Sequence, residues 1–296
     1  MDDRAVAPVV AAMLLLAVLV MFLSTYNAVV IPSLKQQAEV EHLQVVEESF
    51  LAFGSDMTTA AALKQDMHLS KRIPLGGGDM ILDPVRSGGT LRVGGEETLA
   101  SVTLNEMTYD CNLMNFSYTP NGNFWRNQGY AWQYGYTNVT GAGGIQTPLE
   151  YADMDEVSKM LAEESSFAKS LIEIEHEGTE DICTDIMITL VTFEPGEHYF
   201  TSGSGVATLS LDVSVEEEMI VSPNSIEIAF NKNLPVPLNT SLWQKCNERL
   251  NKIADDYNNI EDPVLDDVDW DQVTLTFNGD APDVMLRQVT VVVSAR

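Results

Sequence analysis

The sequence predicts an α+β protein in which a long hydrophobic N-terminal helical stem precedes a β-rich, antiparallel, sandwich-like body with two or more added helices. Three observations predict it. Val6 to Leu23 holds no charged or strongly polar residue. From Ser70 onward, polar and apolar residues alternate between glycine clusters, as strands and turns do. Two stretches, Tyr151 to Phe167 and Asn239 to Tyr257, repeat apolar residues at helical spacing.

Read as one helix at about 1.5 Å per residue, Val6 to Leu23 comes close to the roughly 30 Å hydrocarbon core of a bilayer, and Ser24, Thr25 and Tyr26 carry it into the interface. Pro8 fits the first turn, where its missing N–H would have no intrahelical partner. A secretory signal has a shorter apolar core and a small-x-small cleavage site, and this run has neither. No second span follows it. Pro32 is expected to kink or break the helix, because an interior proline removes a hydrogen bond and crowds the preceding turn. Ser33 to Leu69 then reads as helix, with an apolar stripe of Leu43, Val46, Phe50, Leu51 and Phe53 that packs on the chain's own domain or on neighbouring copies. Gly54 is expected to bend or end that helix, with Ser55-Asp56 capping a second one. The expected organisation is a leader at 1–5, a stem at 6–69 and an acidic body at 70–296, built as one domain or two.

In the body, Lys71 to Leu75, Asp79 to Leu82 and Thr90 to Val93 read as short strands divided by Gly76-Gly77-Gly78, Gly88-Gly89 and Gly94-Gly95, and Thr98 to Met107 continues them. Tyr109 to Tyr136 reads as loop-rich. Its Trp125, Tyr130, Trp132, Tyr134 and Tyr136 form either a sugar-stacking surface or an irregular core with wet polar tips. Tyr151 to Phe167 is expected to be an amphipathic helix. Ser170 to Glu175, Ile182 to Phe193, Val206 to Val215, Met219 to Val221 and Ser225 to Phe230 read as strands of a half-buried sheet. Asn239 to Tyr257 turns Leu242, Trp243, Cys246, Leu250 and Ile253 inward as a helix. Val273 to Phe277 and Val289 to Val293 close the chain as strands.

Charge narrows the partners. Sixteen Lys plus Arg face 44 Asp plus Glu, a net of −28. Nucleic acid is not expected to bind, since a polyanion is repelled and no basic stripe can release its counterions. The acidity reads as a solvated surface in a salty medium. Cys111, Cys183 and Cys246 make no C-x-x-C pair. Two of them bridge if the body lies outside the cell, or all three are buried small hydrophobes. His42, His68, His176 and His198 are scattered, Gly76-Gly77-Gly78 lacks the lysine of a phosphate loop, and Gly203-Ser204-Gly205 lacks nucleophile-elbow spacing, so no enzyme is read. Asp267, Asp269 and Asp271 repeat the D-x-D-x-D opening of a calcium loop, but the sharp-turn glycine is missing and Asn278 stands at position twelve. Either a looser calcium site or a solvated acidic loop fits. Asn115, Asn138 and Asn239 each open an N-x-S/T sequon, and Asn239 also lies near a helix cap.

Asp3-Arg4-Ala5 stands directly before the apolar run. Arg4-Ala5-Val6-Ala7-Pro8-Val9-Val10 resembles the R-G/A-V-S-P-V-I opening of archaeal type IV pilin-like proteins, which carry a class III signal. Alanine stands where serine is usual, and Val10 where bacterial pilins carry a glutamate. The resemblance implies that a prepilin-type peptidase cuts between Ala5 and Val6, with Arg4, Ala5 and Val6 as processing residues, and leaves the helix on the mature chain. It also implies an N-terminus inside, a body outside, glycans on the sequons, and identical stems packed into a helical surface filament. The alternative is a single-pass membrane anchor whose body binds a sugar, calcium or a surface-layer partner. Ala7, Ala11, Ala12 and Ala17 suit close helix packing in either setting. A longer similarity, running from Val29-Val30-Ile31-Pro32 through Glu39-Val40-Glu41-His42 to Ser87-Gly88-Gly89-Thr90-Leu91, is to secreted proteins of haloarchaea and methanogens and brings no activity with it.

Overall fold

The computed structural model describes residues 3–76, 87–121, 128–141, 146–148, 166–179, 181–233, 238–267 and 270–296. Helix α1 (Asp3–Thr25), a π turn (Tyr26–Val30) and helix α2 (Ile31–Leu63) follow one another without a break. At about 1.5 Å per residue this rod is about 90 Å long. The break expected at Pro32 does not occur. Pro32 sits near the start of α2, and the turn before it widens so that the Ile31 N–H donates to the Tyr26 carbonyl, five residues back. A wider turn makes room for a ring that brings no N–H of its own. Gly54 does not end the helix either. It runs on to Leu63 and stops at Lys64, whose left-handed backbone (φ 51°) returns its N–H to the Ala60 carbonyl at 3.2 Å. Strand β1 (Met67–Pro74) follows, so the helix ends short of the Leu69 expected.

Two sheets enclose the inward face of α2. The first joins β1 to β7 (Ile172–Thr179), β8 (Ile182–Pro195), β10 (Val206–Ile220) and β14 (Asp283–Ala295) in the order β1-β10-β14-β8-β7. The second holds β2 (Gly88–Leu104), β3 (Met107–Asn121), β4 (Gly129–Gln133), β5 (Tyr136–Thr140), β6 (Gln146–Pro148), β11 (Ser225–Asn231), β12 (Val264–Asp267) and β13 (Trp270–Thr276). Its order is β12-β13-β11-β2-β3-β4-β5-β6, with β9 (Phe200–Gly203) also paired to β2. The described ladders are antiparallel except β14 with β8, so the first sheet is mixed. Short helix α3 (Ser166–Leu171) and the longer α4 (Leu238–Asp256) complete the body. One contiguous set of buried side chains joins α2, both sheets and α4.

Several strand boundaries differ from the sequence reading. Gly94-Gly95 is no turn between strands: it lies inside β2, at a register shift against β3, with Gly95 at φ +72°. A bulge absorbs the glycines while the pairing continues on both sides. Tyr109 to Tyr136 is mostly strand, since β3, β4 and β5 run through it, and Val206 to Ile220 is one strand instead of two. Asp79 to Leu82, Trp125 and nearly all of the Tyr151 to Phe167 helix lie outside the described residues.

Buried residues recur along α2 at three- and four-residue steps: Leu43, Val46, Phe50, Phe53, Met57 and Ala60. The stripe therefore packs on its own domain, except Leu51, which stays exposed. From it a chain of rings crosses the body. Phe50 and Phe53 each lie 5.1 Å from Phe116 on β3, and Phe116 stacks on Trp132 of β4 at 5.4 Å. Trp132 meets Phe167 of α3 edge-on at 5.6 Å, and Phe167 reaches Phe193 of β8 at 5.9 Å. Such ring pairs add about 0.5–1.5 kcal/mol each beyond the area they bury. Gly54 is where α2 yields to the indole: a Cβ there would stand 2.8 Å from Trp132 Cδ1 and 2.9 Å from Nε1. Gly54→Val is therefore expected to destabilise the body by about 1–3 kcal/mol through overpacking. That outweighs the gain in helix propensity over glycine, which is below about 1 kcal/mol. A thermal melt of the full chain that is unchanged or raised would show that Trp132 yields freely.

Candidate functional site: the apolar stem and its collar

No residue between Arg4 and Lys35 carries a charge. From Val9 to Leu23 every side chain of α1 is exposed, including Leu15 at 68% and Phe22 at 71%. The helix is apolar on all sides, so no face of it prefers water. It is long and apolar enough to cross a membrane. At the π turn, side chains serve the helix carbonyls: Asn27 Nδ2 donates to Leu23 O at 2.9 Å, and Ser33 Oγ to Val30 O at 2.9 Å. Apolar exposure continues through Val29 of the π turn and onto α2 at Leu34, Val40 and Val45.

Where the rod enters the body, a collar of polar groups lines its inward side. A groove of about 350 Å³ between α2 and β4 is lined by Glu39, Val40, Leu43, Glu47 and Tyr130, among others. Tyr130 donates to Glu47 Oε2 at 2.9 Å, and Tyr118 donates to the Leu75 carbonyl at 3.0 Å. Burial first, and for Tyr130 the neighbouring carboxylate as well, push both phenols well above their usual range. His42 is held by Nε2 at 2.9 Å from the Pro74 carbonyl, which fixes a proton on that nitrogen, and its ring lies 6.1 Å from Tyr118. Burial lowers the His42 pKa, against the opposing pull of the Pro74 carbonyl and the Glu39 charge.

The structure separates the other sequence-derived sites. Arg4, Ala5 and Val6 lie in the opening turns of α1. Asn115 is half-buried on β3 opposite Gly94. Asn138 is 1% exposed on β5, so a glycan attached there has no way out of the folded body. Asn239 falls in the first turn of α4, past its start at Leu238. Asp267 and Asp271 are register partners in the β12–β13 ladder, and Asp269 between them lies outside the described residues. Among the described residues, no group of three His, Cys, Asp or Glu side chains is placed to hold a metal ion. Cys111, Cys183 and Cys246 are all buried free thiols, and no bridge joins any two of them. Cys111 Sγ donates to Val191 O at 3.1 Å, and burial pushes the Cys246 thiol up to about 12. Tyr130, Trp132 and Tyr134 belong to the core and present no flat face for a sugar. The tip of Tyr134 ends on Glu97 Oε2 at 2.6 Å. The pairing of buried tyrosines with Glu47 and Glu97 had no local sequence signal, because each pair bridges distant elements.

Fold and stem together define a class: an α+β protein whose one N-terminal helix, among the described residues, suits a membrane span. Compared with known proteins, the chain matches no family model, no curated protein and no solved structure.

The collar makes a pH prediction. His42 has a lowered folded-state pKa, so its neutral form stabilises the fold fully above its ordinary value of 6.5. That contribution is lost as pH falls from there through the folded value, because the unfolded chain takes the proton first. Gln in place of His42 keeps a donor for Pro74 O and has no titration. Melting temperatures of wild type and His42→Gln are expected to diverge between about pH 7 and 5, with wild type falling relative to the variant. Parallel curves would remove His42 from the acid response.

Proposed function

We propose that the chain is a structural, non-enzymatic subunit of an archaeal type IV pilus-like surface filament, assembled through its N-terminal helix after a prepilin-type peptidase cuts between Ala5 and Val6. The observation that carries this reading is the unbroken rod of α1 and α2, exposed and apolar along its first half and locked into the body along its second. In a bundle of identical rods, sister helices cover Val9 to Leu23, and the same neighbours cover Leu34, Val40 and Val45 on α2. The acidic body then faces outward, with its N-terminus toward the cell. A lone anchor accounts for the first set of side chains through lipid and leaves the second set in water. The single-pass anchor is the second reading, favoured by an α1 that is apolar on every face and fits a bilayer unaided.

Electron microscopy of sheared cell-surface material, with mass spectrometry of the N-terminus, tests the proposal. Filaments built from a chain that begins at Val6 are expected, and Leu15→Arg is expected to abolish them without lowering the melting temperature of the body. Bodies carrying a net charge near −28 repel, so filament yield is expected to rise with ionic strength. A chain that keeps Met1 and extracts only as a detergent-soluble monomer would overturn the filament reading in favour of the anchor.

A further inference from the structure

The outer strands of the first sheet carry an arrangement that the stem does not use. Cross-strand partners point to the same face of a sheet. Met219 on β10 pairs with Met285 on β14, and Met285 pairs with Met187 on β8, so three thioethers stand in one row across three adjacent strands. Glu175 of β7 continues that row opposite Met187. Two residues along, Asp283, Asp185 and Glu177 form the next row in the same register. Two residues the other way, the face is closed: Arg287 donates to the Lys64 carbonyl at 3.0 Å, and Lys64 pairs with Glu173. A groove of about 510 Å³ on this face is lined by all three methionines together with Glu175, Glu177, Asp185, Asp283 and His176.

We propose that Met187, Met219 and Met285 form a thioether site for a soft monovalent cation, Cu(I). Neighbouring strands are about 4.8 Å apart, so Met285 has one thioether beside it on each side. An unbranched side chain with three rotatable bonds has the reach to turn each sulfur toward a common point over Met285. Thioether sulfur selects Cu(I) over hard cations, which prefer oxygen. The acidic row supplies the negative field that draws a cation into the groove while leaving the soft donors as its ligands. Thiols would compete for the same ion, but Cys111, Cys183 and Cys246 are buried, which leaves the methionines as the accessible soft donors of the described body. Met219 is 52% exposed, so the row is open to solvent at that end.

The test uses the full chain in detergent, labelled with 13C at the methionine methyls and titrated with Ag(I), a redox-inert probe of the same softness. One equivalent is expected to shift three methyl resonances of the thirteen methionines and leave the other ten in place. Replacing all three by Leu keeps their volume, so the melting temperature should hold. The triple variant is expected to lose Ag(I) affinity by about a hundredfold or more, since loss of supporting partners alone costs about 10–100-fold. Unchanged Ag(I) affinity in the triple variant overturns the proposal. So does binding abolished by Cys→Ser replacements instead, or equal shifts of the same three methyls by calcium, which would make the groove a carboxylate site.

Discussion

The inward face of α2 has to be covered from two sides at once, and the body is the way this chain does it. Phe50 and Phe53 wedge against Phe116, and the ring chain through Trp132 and Phe167 to Phe193 ties the larger sheet to the smaller one. A buried Leu, Val, Phe or Met stabilises by about 1.5–3 kcal/mol. Leu43, Val46, Phe50, Phe53 and Met57 together therefore match the net stability of a whole domain, about 5–15 kcal/mol. The second half of the rod is core before it is stem. The boundary between a helical stem and a separate body, natural in the sequence, does not exist in the packing.

That merger brings two incompatible solvents within one rigid element. The charge-free run from Ala5 to Leu34 rejects water, whereas the rest of the chain carries all 44 acids. Contacts among apolar stems are short-ranged and proportional to area, while repulsion between acidic bodies reaches about 8–10 Å at moderate salt and less as salt rises. In the filament proposed above, association through the stem would favour a medium concentrated enough to screen the bodies.

Long periodic features were legible in the sequence: the apolar helix, the α2 stripe, the paired character of β8 and β10, and the amphipathic α4. Errors came where a residue's meaning depended on a distant partner. Gly54 reads as a helix breaker until the Trp132 indole is seen lying across it, and Gly94-Gly95 reads as a turn until β3 is seen continuing the pairing past it. Tyr109 to Tyr136 looked like loop because its Asn and Gly outweighed an alternation of Cys111, Leu113, Phe116 and Tyr118 that only β2 makes regular. The methionine row is the extreme case. Met187, Met219 and Met285 are far apart in sequence, and a shift of one residue in either ladder would put them on opposite faces.

Because α2 is gripped by both sheets, the direction of α2 fixes the direction of the body. The regular hydrogen-bond spacing of the rod changes at the turn from Tyr26 to Val30, where it lengthens to five residues and Pro32 contributes no donor. That turn sits where the apolar run gives way to the first exposed polar residues, with Asn27 and Ser33 compensating the carbonyls there. Bending concentrated at that turn reorients the body without disturbing either its core or the packing of Val9 to Leu23. A joint placed lower would open α1 inside its apolar surroundings, where an unpaired backbone group costs several kcal/mol. A joint placed higher, past Glu39, would pull Leu43 and Val46 out of the core. The widened turn therefore lies between the exposed apolar half of the rod and the half packed in the body.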